Sequence, residues 1–367
     1  MFIAYNIYEP RYWTIFDNLF NLFTTPVIDN FYLNLHVSFY KEPLSWPIID
    51  MWARRLHSTN IRHFTINTFD SFSFSIRVWP RSIFRMHSLL SLTLYIAFKE
   101  IARSDDQLSM ILPPNLKKLH LVSSNYELLE ELISRCPSLE DLFLTLDIEQ
   151  KSKSSISITS EKLKRLYITL YNVSAVYYCK VIIDAPILEH FRYFTADILS
   201  MQMLDSILNV KSLALHVEDY WDRKFYTSPK KTVFPNLRHL TLSLSWKLYR
   251  TMFDEQLLCC PNLKVLKLHF YYDHHSEMIL NEDVKFALVE QVKRLEVYMI
   301  DGEFSKQKLN ILTWLLRSAK VLEKLVLSSK LGNYNNLEKS QFFENLFECA
   351  ESTSRCQIEL LGGCKLD

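Results

Sequence analysis

The chain has 367 residues, and its 42 Lys and Arg against 41 Asp and Glu give a formal net charge of +1. Its four glycines, Gly302, Gly332, Gly362 and Gly363, cannot form the glycine-rich loops that hold phosphates or dinucleotides. Because a neutral chain also lacks a clustered basic surface, this composition argues against nucleotide-dependent chemistry and against general nucleic-acid binding.

The sequence contains no segment typical of a membrane or secreted protein. Its longest run without Asp, Glu, Lys or Arg is residues 166–179, which is shorter than the roughly 18 apolar residues of a spanning helix. Its start has no basic region followed by an apolar core and a cleavage site. Seven cysteines, an odd number without framework spacing, predict reduced thiols. We therefore expect a soluble protein of the cytoplasm and/or the nucleus, with no membrane partner.

A short phrase recurs along the chain: an apolar residue, two others, an apolar residue, one other, and a third apolar residue. Eleven such rows begin at Ile61, Leu89, Leu116, Leu139, Leu163, Leu188, Val210, Leu237, Leu263, Val292 and Leu322. The steps between rows are 22 to 30 residues long and average about 26. This interval is typical of leucine-rich repeats.

The rows predict a repeat architecture for a physical reason. Alternation over the last three positions of each row favours a short strand with one buried face. A single unit cannot bury that face alone, so neighbouring units must stack their strands in parallel. We therefore predict an α/β fold, a leucine-rich-repeat solenoid (horseshoe). Its parallel β-sheet forms the concave face, and helices or irregular turns form the convex face.

The connections between rows have their own signals. Apolar residues at helical spacing predict helices around residues 128–133, 203–208 and 309–316, whereas the Lys- and Ser-rich residues 147–160 predict a loop. Prolines stand one or two residues before five rows, where a helix must stop and a strand begin. The adjacent Cys259 and Cys260 lack the two-residue gap of metal and redox pairs, and we interpret them as buried small side chains.

Several stretches carry a more specific signature. Residues 79–84 (WPRSIF) with 87–94 (HSLLSLTL), and residues 181–186 (VIIDAP), precede or open rows of the repeat. Residues 318–325 (SAKVLEKL) and 354–358 (SRCQI) lie near the C-terminus. Together these stretches resemble the plant F-box/leucine-rich-repeat/FBD proteins, the last two resembling the ends of the FBD module. The resemblance covers nearly the whole chain.

In that family an F-box precedes the repeats and docks on the Skp-type adaptor of a cullin–RING ubiquitin ligase. We find no F-box here. Residues 11–16 (RYWTIF) resemble the segment that follows the F-box, and residues 31–37 and 51–55 resemble the pre-repeat strand and helix. Either the F-box was lost, or the reading frame as written starts too late. The resemblance therefore implies a Skp-type partner only if an F-box lies upstream.

The expected organisation has three parts. Residues 1–60 form a pre-repeat cap of strand and helix, residues 61–330 form the repeats, and residues 285–367 form an FBD-like segment that overlaps the last repeats. This organisation follows from the repeat spacing and from the resemblance.

The search for chemistry yields no catalytic constellation. The sequence has no serine elbow between glycines, no His-Glu-x-x-His and no Cys pairs with zinc spacing. The densest group of potential ligands is Asp273, His274 and His275, which we interpret as a solvated loop because adjacent side chains in a strand point opposite ways. We expect no catalytic residue, no cofactor and no metal.

Function is expected on the outward positions of the strands, where repeat proteins hold their partners. Aromatic residues and arginine, the types enriched at energetically dominant interface positions, occur there. The candidate partner-binding residues are Lys118, His120, Phe143, Arg165, Tyr167, Arg192, Lys267, Glu296 and Tyr298. Phe143 and Tyr167, on successive rows, are expected to stand side by side near Arg165 and Arg192.

The sequence thus predicts a non-catalytic protein–protein interaction module whose target proteins are unknown. The resemblance implies substrate recognition for a ubiquitin ligase. An alternative is a stand-alone binding or decoy protein, or a truncated gene product, with no ligase role. A small-molecule receptor would need a deep pocket ringed by basic groups, for which the sequence has no marker.

Overall fold

The structure is a computed structural model, and it divides the chain into two compact units, Met1–Leu188 and Glu189–Asp367. It describes residues 2–5, 18, 29–35, 51, 53–56, 60–68, 75–76, 81–95, 97–98, 113–123, 127–147, 155–171, 180–195, 201–217, 232–244, 258–270, 290–299, 306–329, 344–348 and 356–362. Within each unit, the dominant structure is a stack of short parallel strands.

The first unit contains one main sheet and two short strand pairs. Its elements are β1 (Phe2–Tyr5), β2 (Asn30–Leu35), β3 (His63–Thr68), β4 (Ser75–Ile76), α1 (Arg81–Phe84), β5 (Ser91–Tyr95), β6 (Ala97–Phe98), β7 (Lys118–Ser123), α2 (Glu127–Ser134), β8 (Asp141–Asp147), β9 (Ser155–Thr159), β10 (Arg165–Tyr171) and β11 (Lys180–Asp184). The main sheet has the order β1-β2-β3-β5-β7-β8-β10, while β4 pairs with β6 and β9 with β11. Both β1 and β2 come from the stretch predicted as a cap.

The second unit repeats this arrangement. Its elements are β12 (His190–Thr195), α3 (Met201–Asp205), β13 (Ser212–Val217), β14 (Thr232–Val233), β15 (His239–Leu244), β16 (Leu258–Cys259), β17 (Val265–Phe270), β18 (Arg294–Met299), α4 (Lys306–Ser318), β19 (Lys324–Ser329) and β20 (Gln357–Gly362). The main sheet has the order β12-β13-β15-β17-β18-β19-β20, and β14 pairs with β16. Helical residues also occur at 344–348.

The register of the strands brings equivalent leucines together. In the first unit Leu119 pairs with Leu142, which pairs with Leu166, so that one apolar row crosses three strands. In the second unit a corresponding row runs from Leu213 to Leu325. The five leucines of this second-unit row, Leu213, Leu240, Leu266, Leu295 and Leu325, are at most 1% exposed. The leucine-rich-repeat solenoid predicted from the spacing of the rows is therefore confirmed.

A shared backbone carbonyl aligns each repeat with the next. The Lys117 carbonyl accepts N–H groups from both Glu140 and Asp141, at 2.8 and 2.9 Å, and the Glu140 carbonyl accepts those of Lys164 and Arg165, at 2.8 and 3.0 Å. The carbonyls that act in this way are those of Asp29, Arg62, Leu90, Lys117, Glu140, Glu189, Lys211, Arg238, Lys264 and Lys293. These bonds satisfy the N–H groups at the start of each strand and hold the register.

The row prolines occupy tight turns. The Leu139 N–H donates to the Cys136 carbonyl at 3.1 Å, which places Pro137 second in a four-residue turn, where its fixed φ is favoured. The same position is held by Pro114, Pro186, Pro235 and Pro261. Burial at the first turn position raises the pKa of the thiols of Cys136 and Cys260 to about 12. Cys260 is thus buried, as predicted, whereas Cys259 is half-buried.

The connections agree with the sequence in part. Helices α2 and α4 cover the first and last predicted helical stretches, but α3 ends at Asp205, and the Ile207 carbonyl instead accepts the Val210 N–H of the next turn. The loop predicted for residues 147–160 is wrong at its end, because Ser155–Thr159 forms β9. Its buried Ile156 and Ile158 alternate with exposed or half-exposed residues, a strand pattern that the Lys- and Ser-rich composition conceals.

Two leucines on the second unit's sheet provide a test of the stacked core. Leu266 is fully buried, so we expect Leu266→Ala to lower the free energy of unfolding by about 2–5 kcal/mol. Leu360 is 47% exposed, so Leu360→Ala should cost about 1 kcal/mol or less. The shift of the guanidinium denaturation midpoint measures both effects. Equal shifts for the two variants would contradict the stacked apolar rows.

Candidate partner-binding face

The residues between the buried leucines occupy the opposite, outer face of each main sheet. Five of the predicted candidates lie together in the first unit, on neighbouring strands β7, β8 and β10: Lys118, His120, Phe143, Arg165 and Tyr167. The other four lie in the second unit, on β12, β17 and β18: Arg192, Lys267, Glu296 and Tyr298. The candidates therefore form two groups, one in each unit.

The first-unit group contains a row of aromatic rings. The register pairs His120 with Phe143 and Phe143 with Tyr167. The Phe143 and Tyr167 rings stack at a centroid distance of 4.3 Å with planes 9° apart, and His120 lies 5.4 Å from Phe143. Tyr95 extends the row, because its ring and that of His120 form a T-shaped pair with centroids 5.7 Å apart. We call Tyr95, His120, Phe143 and Tyr167 the ring row, and each of them is half-buried.

Tyr95 was not among the predicted residues. It follows the last buried leucine of β5, Leu94. The register pairs His120 of β7 with Thr93, and Tyr95 is the next outward residue after Thr93, two residues further along β5. The sequence signal that could have identified Tyr95 is its position as an aromatic residue directly after the apolar row that ends at Leu94. Its contact with His120 depends on side-chain direction, which the repeat spacing does not specify.

Two basic side chains border the ring row. The Lys118 Nζ lies 5.1 Å from the centre of the Phe143 ring, a distance typical of a cation–π contact. Arg165 binds Asp141 with two nitrogens, Nε to Oδ1 and Nη2 to Oδ2, the second bond being 2.5 Å long. The bond to Asp141 raises the pKa of Arg165. Asp141 is buried while half of the arginine side chain is exposed, so Asp141 holds the guanidinium at the surface.

The adjoining ends of these strands carry more positive than negative charge. The Glu140 carboxylate lies between Lys164, at 2.8 Å, and Lys117, at 3.7 Å. The bond from Lys164 is the main cause that lowers the pKa of Glu140. Among the described residues, the charged side chains that contact one another or the ring row here are the cations Lys117, Lys118, Lys164 and Arg165 and the carboxylates Glu140 and Asp141. In this contacting group, four positive charges outnumber two negative charges.

Glu296 differs from the expectation that it is an exposed contact. It is 3% exposed, and its carboxylate accepts bonds from Lys267 Nζ at 2.9 Å, Arg294 Nε at 2.7 Å and Tyr298 OH at 2.8 Å. Burial alone would raise the pKa of Glu296, but the bonds from Lys267 and Tyr298 and the Arg294 charge lower it. Glu296 therefore positions the more exposed Lys267, Arg294 and Tyr298, and is not itself open to a partner.

Histidines and aromatic residues stack along the outer face of the second unit. His216 stacks on Phe194 at 4.0 Å, and His269 stacks on Tyr298 at 4.4 Å. Burial, assisted by nearby positive charge, lowers the pKa of both imidazoles to about 4, and it has the same effect on His120 in the first unit. The predicted set omits Phe194, His216 and His269. The strand register pairs Phe194 with His216, and His269 with Tyr298.

The described residues show no arrangement typical of a metal site or of a membrane-spanning helix. Within the ranges that the structure describes, no group of three or more His, Cys, Asp or Glu side chains is arranged to hold a metal ion. The cluster Asp273, His274 and His275 lies outside those ranges, as do residues 11–16 and 79–80. No helix in the described part of the chain is long and apolar enough to cross a membrane.

Acid is expected to destabilise the second unit. The unfolded chain protonates its histidines below about pH 6.5, whereas folded His216 and His269 take up protons only near about pH 4. The free energy of unfolding should therefore fall as the pH decreases through this window. His269→Phe keeps a ring against Tyr298 and should reduce the difference in guanidinium midpoint between about pH 7 and about pH 5.

The matched control for this prediction is His87→Phe, at an exposed turn position. It should leave the pH difference of the midpoint as in the wild type, since this side chain is exposed in both states. An identical pH difference for wild type and His269→Phe would show that burial of His269 does not contribute to the acid destabilisation.

Comparison with known proteins agrees with these structural features. A family model described as "FBD-associated F-box protein At5g56370, LRR repeats" matches residues 49–203. The matched region includes β3 to β12 and contains the ring row.

Longer similarities extend over most of the chain. The Arabidopsis thaliana "F-box/FBD/LRR-repeat protein At5g22660" is 24% identical over 92% of this chain and 84% of its own length. The "Probable FBD-associated F-box protein At1g32375" of the same plant is 26% identical over 93% of this chain and 85% of its own length. The chain is thus similar to plant F-box/FBD/leucine-rich-repeat proteins over most of its length, and the resemblance to that family stated from the sequence is confirmed.

Proposed function

We propose that this chain is a non-catalytic module that binds target proteins through the outer faces of its sheets. The observation that carries the proposal is the ring row, because four half-buried rings on neighbouring strands form one continuous apolar strip beside exposed cations. Leucine-rich-repeat relatives and a solenoid fold are typical of proteins with an interaction role, and solenoids use such extended surfaces for their partners.

The residue types support a role in protein binding. Aromatic residues and arginine dominate the binding energy of protein interfaces, where they sit in packed clusters surrounded by polar groups. Phe143 and Tyr167 provide such a cluster, and Arg165 lies on the same strand as Tyr167 with its guanidinium held by Asp141. The strand register and Asp141 fix these side chains before a partner arrives. Binding therefore costs little of their conformational freedom.

We further propose that the bound proteins are substrates for ubiquitination. The relatives carry F-box in their printed names, and the family resemblance implies recruitment of targets to a cullin–RING ligase through a Skp-type adaptor. In this proposal the repeats supply target recognition, and contact with the adaptor requires an F-box segment. A cytoplasmic and/or nuclear location is part of the same proposal.

Affinity capture from plant extract with paired variants tests the binding role. Phe143→Ala together with Tyr167→Ala removes the stacked pair, and proteins that bind the ring row should be retained at least about tenfold less, since one such anchor is worth about 2 kcal/mol or more. The control is Ile182→Ala with Ile187→Ala, two exposed side chains of the same unit that lie off the main sheet. The measurement is quantitative mass spectrometry of the retained proteins.

Circular dichroism and the denaturation midpoint establish that both double variants are folded. If every retained protein binds the ring-row variant and the control variant equally, the proposed binding face is wrong. Addition of a purified Skp-type adaptor and cullin–RING ligase then tests the ubiquitination step. Retained proteins that receive no ubiquitin would support the alternative of a stand-alone binding protein.

A further inference from the structure

Phe143, the central ring of the ring row, has neighbours on both of its faces. Phe143 lies on β8, between the neighbouring strands β7 and β10. The Tyr167 ring of β10 stacks on it at 4.3 Å, and the His120 ring of β7 lies 5.4 Å away on the other side. The Lys118 Nζ also lies over this ring, at 5.1 Å. The faces of Phe143 are therefore occupied, and the part of the side chain that remains accessible is its edge.

The edge of an aromatic ring has a definite electrostatic character. The ring quadrupole is negative on the face and positive at the edge, so the exposed edge of Phe143 attracts carbonyl and carboxylate oxygens while still offering apolar contact. His120 adds no formal positive charge near neutral pH, because burial and the charge of Lys118 lower its pKa to about 4. The strip is thus apolar with a positive rim.

Cations reinforce this character along one border of the strip. Lys118 and Arg165 lie two residues before His120 and Tyr167 on their strands, and so on the same face. Arg165 uses Nε and Nη2 to bind Asp141, which leaves further N–H donors of its five for another acceptor. The four cations at this border exceed the two carboxylates there, and both carboxylates already bind cations of the chain.

The dimensions of the strip set the length of a ligand. The ring row crosses β5, β7, β8 and β10, which are consecutive in the sheet. Three strand spacings of about 4.8 Å give roughly 14 Å, the length of about four residues of extended chain. A short extended segment of a protein can therefore lie across the row, with apolar side chains against the ring edges and its acidic side chains toward the cationic border.

We propose that the ring row, with Lys118 and Arg165, binds an acidic segment of the partner protein, in which Asp or Glu residues flank an aromatic or large aliphatic side chain. This inference rests on the proposed binding function and specifies the chemistry of the partner. Complementary charge steers such a segment to the border, and the rings supply most of the contact area.

Selection of a phage-displayed library of random heptapeptides on the immobilised 367-residue chain tests the inference. The enriched peptides are expected to contain Asp and Glu more often than the unselected library does, together with a central aromatic or aliphatic residue. Synthetic, fluorescein-labelled copies of the enriched peptides should bind the chain in an anisotropy titration. Their affinity should fall as salt is raised, because the pairing charges are exposed and screened.

A matched pair of charge reversals locates the binding site. Lys118→Glu places a carboxylate beside Phe143 and should weaken binding of the enriched peptides at least about tenfold. Lys180→Glu makes the same charge change at an exposed position of β11, which belongs to the separate strand pair, and should leave affinity within about twofold. Phe143→Leu keeps an apolar side chain but removes the ring edge, and should weaken binding by an intermediate factor.

The inference is overturned by an empty selection, by enriched peptides without an acidic excess, or by acidic peptides that bind the Lys118→Glu chain as tightly as the wild type. Binding of a single-stranded oligonucleotide that depends on Lys118 and Phe143 would also overturn it, in favour of a nucleic-acid ligand. The two proposals can fail independently. If captured proteins depend on the ring row while the library shows no acidic excess, the proposed binding function stands and the inference of an acidic partner is wrong.

Discussion

Lateral stacking of repeats is the constraint on which the rest of the structure depends. No single row can bury its own apolar face, so each strand is stable only between neighbours that cover it. The row through Leu119, Leu142 and Leu166 shows the result, since all three side chains are removed from solvent. The carbonyl shared between successive repeats, such as that of Lys117, adds a directional bond to the non-directional apolar contact and excludes a slip of the register.

The outer face inherits its order from this register. Because side chains alternate across a strand, alignment of the buried leucines also aligns the residues between them, one strand spacing apart. His120, Phe143 and Tyr167 come into ring contact for this reason, although 20 or more residues separate them in the chain. The strand register thus sets the spacing of these rings in advance, and a surface ordered before binding would lose little conformational freedom with a partner.

Buried carboxylates have a supporting role on both sheets. Asp141 in the first unit and Glu296 in the second are almost inaccessible, and each binds at least one basic side chain that is partly exposed. Burying a carboxylate costs desolvation free energy unless the group is paired and hydrogen-bonded. The basic neighbours of Asp141 and Glu296 offset that cost. The same bonds hold the cations at fixed positions on the surface. In each unit, a buried carboxylate thus holds partly exposed basic side chains in an ordered arrangement at the surface.

The spacing of the leucine rows was sufficient to predict the parallel solenoid, the buried positions and the strands that carry most of the candidate residues, because repeat length and alternation are local properties of the chain. The family resemblance was also contained in the sequence. The tertiary structure alone decided that β9 is a strand, that Glu296 is buried, and that Tyr95 and His216 enter ring contacts. These features depend on which side chains of neighbouring repeats meet and on the directions they take, and a linear pattern does not contain that information.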